Sequence, residues 1–172
     1  SETEVTVLAN PKIDTSPSDY AEQQTLLESI ESTLTNVHES VSEMRSAKSQ
    51  LDGFAKLLKD NDDAKALLKK GEALAKRIVS WEENLIQAKQ KTFQDVINFP
   101  NQLSAELLVL KSQIDGPDPR PTEGVQKHLA TLLDNWIRYK ADRDQVIEKA
   151  IGGFNQAYRE QSLPVLLVPQ QK

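Results

Sequence analysis

Apolar residues recur along most of this chain at intervals of three and four, the spacing that lines one face of an α-helix. Tyr20, Leu27, Leu34, Val41 and Ala55 hold one heptad position, with Lys48 the exception. Ile30, Val37, Met44, Leu51 and Leu58 hold the other. The pattern predicts a first helix of roughly ten turns. Ser16-Pro17 or Ser18 opens it, with proline tolerated in the first turn and Asp19 and Glu22 near its positive end. Gly53 weakens it by about 1 kcal/mol relative to Ala. Ser29, Ser32, Ser40, Ser42, Ser46 and Ser49 are assigned to its solvent face. Serine is an indifferent helix former, so this helix depends on what packs against it.

Lys59-Asp60-Asn61 reads as a turn, with Asn61 as an N-cap and Asp62 and Asp63 behind it. Leu67, Leu74, Trp81 and Ala88 then interleave with Ala64, Gly71, Ile78, Leu85 and Thr92. This predicts a second helix running to near Val96, antiparallel to the first. A sharp corner follows, Phe93-Gln94-Asp95-Val96-Ile97-Asn98-Phe99-Pro100, in which Asn98 is expected to cap a short third helix seamed by Leu103, Leu107, Leu110 and Ile114. In that reading Phe93 and Phe99 plug the end of the bundle, while Asp95 or Gln94 satisfies loose backbone donors. Three prolines in the seven residues Asp115–Pro121 stop the third helix and hold the chain extended. Thr122 caps a fourth helix seamed by Val125, Leu129, Leu132, Trp136, Tyr139, Val146, Ala150 and Ala157, flanked by Leu133, Ile147, Phe154 and Tyr158. Arg143 interrupts that seam, and Gly152-Gly153 should loosen its last turns.

The fold class expected is therefore all-α: an up-down-up-down four-helix bundle with long first, second and fourth helices, a short third helix, and short extended segments at both termini. The third leg would be half helix and half proline-rich climb, leaving four helices in section at one end and nearer three at the other. Residues 1–15 form an extended linker or the remnant strand of a preceding domain, because Thr3-Glu4-Val5-Thr6-Val7-Leu8 alternates weakly and is rich in β-branched residues. Residues 16–162 form the bundle and residues 163–172 an extended tail. The apolar stretches 3–8 and 163–168 are expected at the same end, within reach of pairing.

Composition narrows the function classes. The chain has 172 residues, enough for one domain with a substantial core, and six glycines. A net charge of −5 argues against nucleic acid, which favours a basic face. Cysteine is absent, which excludes disulfides and thiolate metal sites. No run approaches the ~20 apolar residues of a membrane span. With no signal peptide in evidence and Met44 the only methionine, the chain reads as beginning inside a longer one.

Candidate chemistry is thin. His38 and His128 fall beside the seams, and His38, Glu39 and Glu43 do not share a helical face, so both imidazoles read as surface residues. Glu82-Glu83 and Asp142/Asp144 are the closest carboxylate pairs. Glycosidase acids face each other across a cleft at ~5–10 Å, which a solid bundle lacks. Residues 1–44 carry nine acids against Lys12 alone, whereas the second helix carries Lys65, Lys69, Lys70, Lys76, Arg77, Lys89 and Lys91. That asymmetry is either an acidic docking patch or a set of solvated faces partly paired between helices. Trp81 and Trp136 occupy seam positions and are expected in the core rather than on a sugar platform. Glycine-rich phosphate loops, Ser/His/Asp arrangements and zinc motifs are missing from the sequence.

The run Gln94-Asp95-Val96-Ile97-Asn98-Phe99-Pro100, with Leu103 and then Pro121-Thr122, resembles the C-terminal helical domain of bacterial BNR/Asp-box propeller proteins, sortilin-like and classed as glycosyl hydrolases. In that family a β-propeller comes first, an Ig-like strand module often follows, and a second helix ends in a Gln-Asp-x-x-Asn-[Tyr/Phe]-Pro corner. Val5-Thr6-Val7-Leu8-Ala9-Asn10-Pro11-Lys12 is similar to the junction before the helices, with Asn-Pro-Lys in place of Asp-Pro-Arg. Phe154-Asn155 and Leu163-Pro164 fit its C-terminal end. The resemblance implies a periplasmic or extracellular setting and a neighbouring propeller or Ig-like domain as partner, with any hydrolase activity belonging to the propeller. It transfers no catalytic, cofactor or metal residue. The reading is of a non-catalytic helical accessory module that acts by docking or assembly, possessing neither cofactor nor membrane span. A carbohydrate-binding or hydrolytic domain in its own right, and a self-associating coiled-coil adaptor, stand as the alternatives.

Overall fold

The heptad seams close into helices wherever large apolar residues sustain them. In the computed structural model, which describes residues 2–6, 8, 11–161 and 163, α1 spans Pro17–Leu58, α2 Lys65–Glu82 and α3 Leu103–Ile114. The fourth helix is α4, Glu123–Gln145, continued through a π segment, Val146–Ile151, into α5, Gly152–Glu160. The chain is all-α, and its four helices pack against one another as a bundle.

Local chemistry sets most of the helix starts. Ser16 caps α1: its hydroxyl accepts from the Asp19 amide at 3.3 Å while the Asp19 carboxylate accepts from the Ser16 amide at 2.7 Å. Asn61 accepts from the Asp63 amide at 3.0 Å and opens a 3-10 turn, Asp62–Ala64, that leads into α2. Thr122 caps α4 through the Val125 amide at 3.3 Å.

The core follows the seams. Ile30, Val37, Met44, Leu51 and Leu58 of α1 are all buried, whereas of the parallel row Tyr20 and Ala55 are exposed. Facing them are Leu67, Leu74, Ile78 and Trp81 of α2, Leu103, Leu107, Leu110 and Ile114 of α3, and Leu129, Leu132, Trp136, Val146 and Phe154 of the fourth helix. Gly71 is small for a reason: a Cβ there would lie 3.2 Å from the Phe154 ring. Trp81 is fully buried, and its indole N–H is satisfied by the Tyr139 carbonyl at 2.8 Å.

The directions of the legs depart from the expected order. α2 runs against α1, with Leu67 beside Leu58 at one end and Glu82 paired with Arg45 at the other. α3 runs the same way: Ser104 meets His38, Lys111 meets Glu31 at 2.7 Å, and Gln23 donates to the Ile114 carbonyl at 2.7 Å. α3 thus continues the descent of α2. The fourth helix makes the return, with Gln126 at Glu22, Arg143 at Ser40 and Phe154 near Phe54. The proline-rich segment is a cross-over and not a climb. Pro119 is fully buried there, and Gln23 also reaches the Gly116 carbonyl.

Further expectations are corrected. Helix two stops at Glu82 instead of near Val96. Its seam contains no large apolar residue after Leu85, and without buried contacts a polar stretch of this length does not stay helical. Asn84 hastens the stop by turning its amide onto the Ser80 and Trp81 carbonyls. Ser40 is buried, not on the solvent face, and its hydroxyl accepts from the Arg143 guanidinium. The departure from α geometry foreseen at Gly152-Gly153 falls just before it, as the π turn, which re-phases the seam so that Phe154 and Ala157 face inward. Residues 3–6 and 8 form no strand, and Val5 and Leu8 are largely exposed. A lone extended segment with no strand beside it has nothing to hold it in a sheet. Their expected pairing with 163–168 lies outside the described residues, except that Leu163 packs against the core.

Leu107 is fully buried at the centre of α3. Leu107→Ala is expected to cost about 2–5 kcal/mol in urea denaturation. Ile137→Ala, on the outer face of α4 at 63% exposure, should change stability by less than about 0.5 kcal/mol.

Candidate functional site

The corner between α2 and α3 is the most elaborately bonded loop of the chain, and it carries the residues singled out by sequence. Its base is a junction of two helix ends. The Leu103 and Ser104 amides, the first of α3, donate to the Asn84 and Leu85 carbonyls at 3.4 and 3.0 Å. Helix starts need acceptors and helix ends need donors, so each end satisfies the other. Accordingly α3 begins at Leu103 with Gln102 in the cap position and no side-chain cap bond. The expected cap, Asn98, instead ends a short 3-10 helix, Phe93–Ile97. Asn98 is displaced from the cap role because backbone carbonyls already fill it.

Between Glu82 and Ser104 the chain spends 22 positions while its partners on α1, Arg45 and His38, are only seven apart. Seven helical residues cover about 10 Å, so most of the corner is looped out from the bundle. Asp95 organises the loop: its carboxylate accepts from the Lys91 and Thr92 amides at 2.6 and 2.9 Å. Its carbonyl accepts from Asn98 and Phe99 at 3.0 and 2.8 Å. The two amide bonds to its carboxylate, then the Thr92 hydroxyl and the Lys91 charge, hold the Asp95 carboxyl below the usual carboxylate range. Gln90 ties the two sides of the loop together by donating to the Phe99 carbonyl and to Asn101 Oδ1 at 3.1 Å. Gln87 reaches the Pro100 carbonyl at 3.4 Å.

Of the sequence-assigned corner residues, Asp95 makes the backbone bonds just described, Phe99 is half-buried, and Gln94, Asn98 and Pro100 are exposed. The Phe93 side chain lies outside the described residues. Sequence reasoning passed over Thr92, Gln87 and Gln90. The first had a signal, since Thr92-x-x-Asp95 is a capping-box spacing. The glutamines had none, because their partners are carbonyls on the far side of the loop.

Most of the remaining candidates resolve into ties between helices, while Glu83 is exposed beside the end of α2. His38 Nε2 lies 3.1 Å from Ser104 Oγ, a hydroxyl–imidazole contact across α1 and α3. Ser104 is only 7% exposed, so a substrate carbonyl has no approach to it. His128 Nε2 lies 4.0 Å from Glu106 Oε2. Glu82 is taken by Arg45, and Asp142 by Arg77. Asp144 binds Arg143, whose guanidinium also meets Ser40 Oγ and lies 3.5 Å from Glu43. Thus three of the N-terminal acids, Glu22, Glu31 and Glu43, are spent on other helices. Among the described residues no cluster of three or more His, Asp or Glu side chains is placed to hold a metal ion. No described helix is long and apolar enough to cross a membrane.

A separate hollow of about 120 Å³ lies where α1, α2 and α5 meet, floored by Leu51, Leu58, Leu67, Leu68 and Phe154, with Asp52 and Glu72 at its edge. No family model, curated protein or solved structure matches the chain.

The depressed Asp95 carboxyl has a testable consequence. A group whose folded pKa lies below its unfolded value stabilises fully above the unfolded value, and that contribution fades as pH falls through the folded one. Asp95→Asn should therefore lower the melting temperature at pH 7, and the gap from wild type should narrow as pH drops below about 4. Melting curves followed by circular dichroism at pH 7, 4 and 2.5 check this; a gap that stays constant refutes it.

Proposed function

We propose that this chain is a non-catalytic helical interaction module that works by docking or assembly through a rigid surface. By the resemblance of its corner, its place is on the C-terminal side of a propeller or Ig-like domain in a secreted or periplasmic protein. One observation supports the non-catalytic part: most of the groups that could do chemistry hold helices together, Glu83 being the exception. His38, Ser104, Glu82, Asp142 and Asp144 each bind a residue of another helix or, for Asp144, the Arg143 that does. An acid or nucleophile held by such a partner is less available as a general acid, base or nucleophile.

The tryptophans weigh the same way against a carbohydrate-binding reading. Trp81 and Trp136 are the only two in the chain, and both are in the core. Neither indole face is available to stack on a sugar ring. The outer stripe of α1, with Glu39, Ser42, Ser46 and Ser49, is polar and exposed. A coiled-coil adaptor would need a second apolar seam there.

The reading of the module is tested with the reading frame that precedes Ser1. Propeller-like repeats are expected in it, and that segment, expressed with this chain as separate polypeptides, should co-elute with it in size exclusion. A frame without such repeats, or two species that elute independently at ~50 μM each, overturns the docking role. Hydrolysis of aryl glycosides by the purified chain, abolished by Glu83→Gln, would overturn the non-catalytic assignment.

A further inference from the structure

We draw no further inference here: the strongest candidate, the exposed apolar tip of the corner between α2 and α3 formed by Val96 and Ile97, is an unpartnered surface patch, and nothing in the structure shows what covers it.

Discussion

Two backbone hydrogen bonds decide how this chain is arranged: the Leu103 and Ser104 amides on the Asn84 and Leu85 carbonyls. Each bond contributes only about 1 kcal/mol net, but Leu85 is fully buried, and a buried carbonyl left without a donor costs about 1–3 kcal/mol. The bonds therefore matter most for what their loss would expose. They splice the end of α2 to the start of α3, so the two short helices act as one interrupted leg. α1 runs unbroken beside the junction, with Arg45 on one side of it and His38 on the other. The fourth helix then needs only to return along the groove between α1 and that leg. Most of the stretch from Gln87 to Asn101 is looped out from the bundle, which is why the loop must satisfy its own polar groups with Asp95, Gln87 and Gln90.

The sequence carries most of the helices but not this splice. Ile30, Val37, Met44, Leu51 and Leu58 announce α1, and Leu103, Leu107, Leu110 and Ile114 announce α3, because burial every 3–4 residues is a local pattern. Ser16 and Thr122 announce their caps for the same reason. The end of α2 was half legible: the heptad rows continue past Leu85 only through Ala88 and Thr92, which are too small and polar to hold a helix. The direction of α3 was not legible at all. It depends on which acceptors receive the Leu103 and Ser104 amides, and those acceptors are main-chain carbonyls common to every residue. A second helix ending near Val96 would force a reversal that a helix ending at Glu82 does not.

Arg143 marks a second place where local pattern and structure part. It stands in an apolar row, yet its guanidinium is largely covered, held by Ser40, Asp144 and Glu43. A charge in that position gains little net stability over a well-packed apolar residue, because desolvation offsets the attraction. What it adds is direction: only one rotation of α4 brings the guanidinium to Ser40. Ser40 reads as solvent-facing from sequence because serine elsewhere on α1 is, and only the arrival of Arg143 from about a hundred residues away gives it a buried partner.

The shape that results constrains what the chain can do. α1 has 42 residues and runs about 63 Å, whereas a globule of this length has a radius of gyration of roughly 16 Å. The molecule is a rod only three helices thick, and at each level one or two side chains from each leg fill the interior. Such a core is shallow among the described residues. Departures from a smooth rod arise only where the three legs are imperfect. The middle leg is broken at the splice and throws out a loop, and near the far end Gly71, Ala75 and Ala55 leave the α1–α2 groove underfilled beside Phe154. The first defect makes a protrusion and the second a hollow. Both follow from the same limitation, that helices of unequal length and small residues cannot cover a long α1 evenly. The protrusion and the hollow are therefore by-products of how the chain solves its own packing.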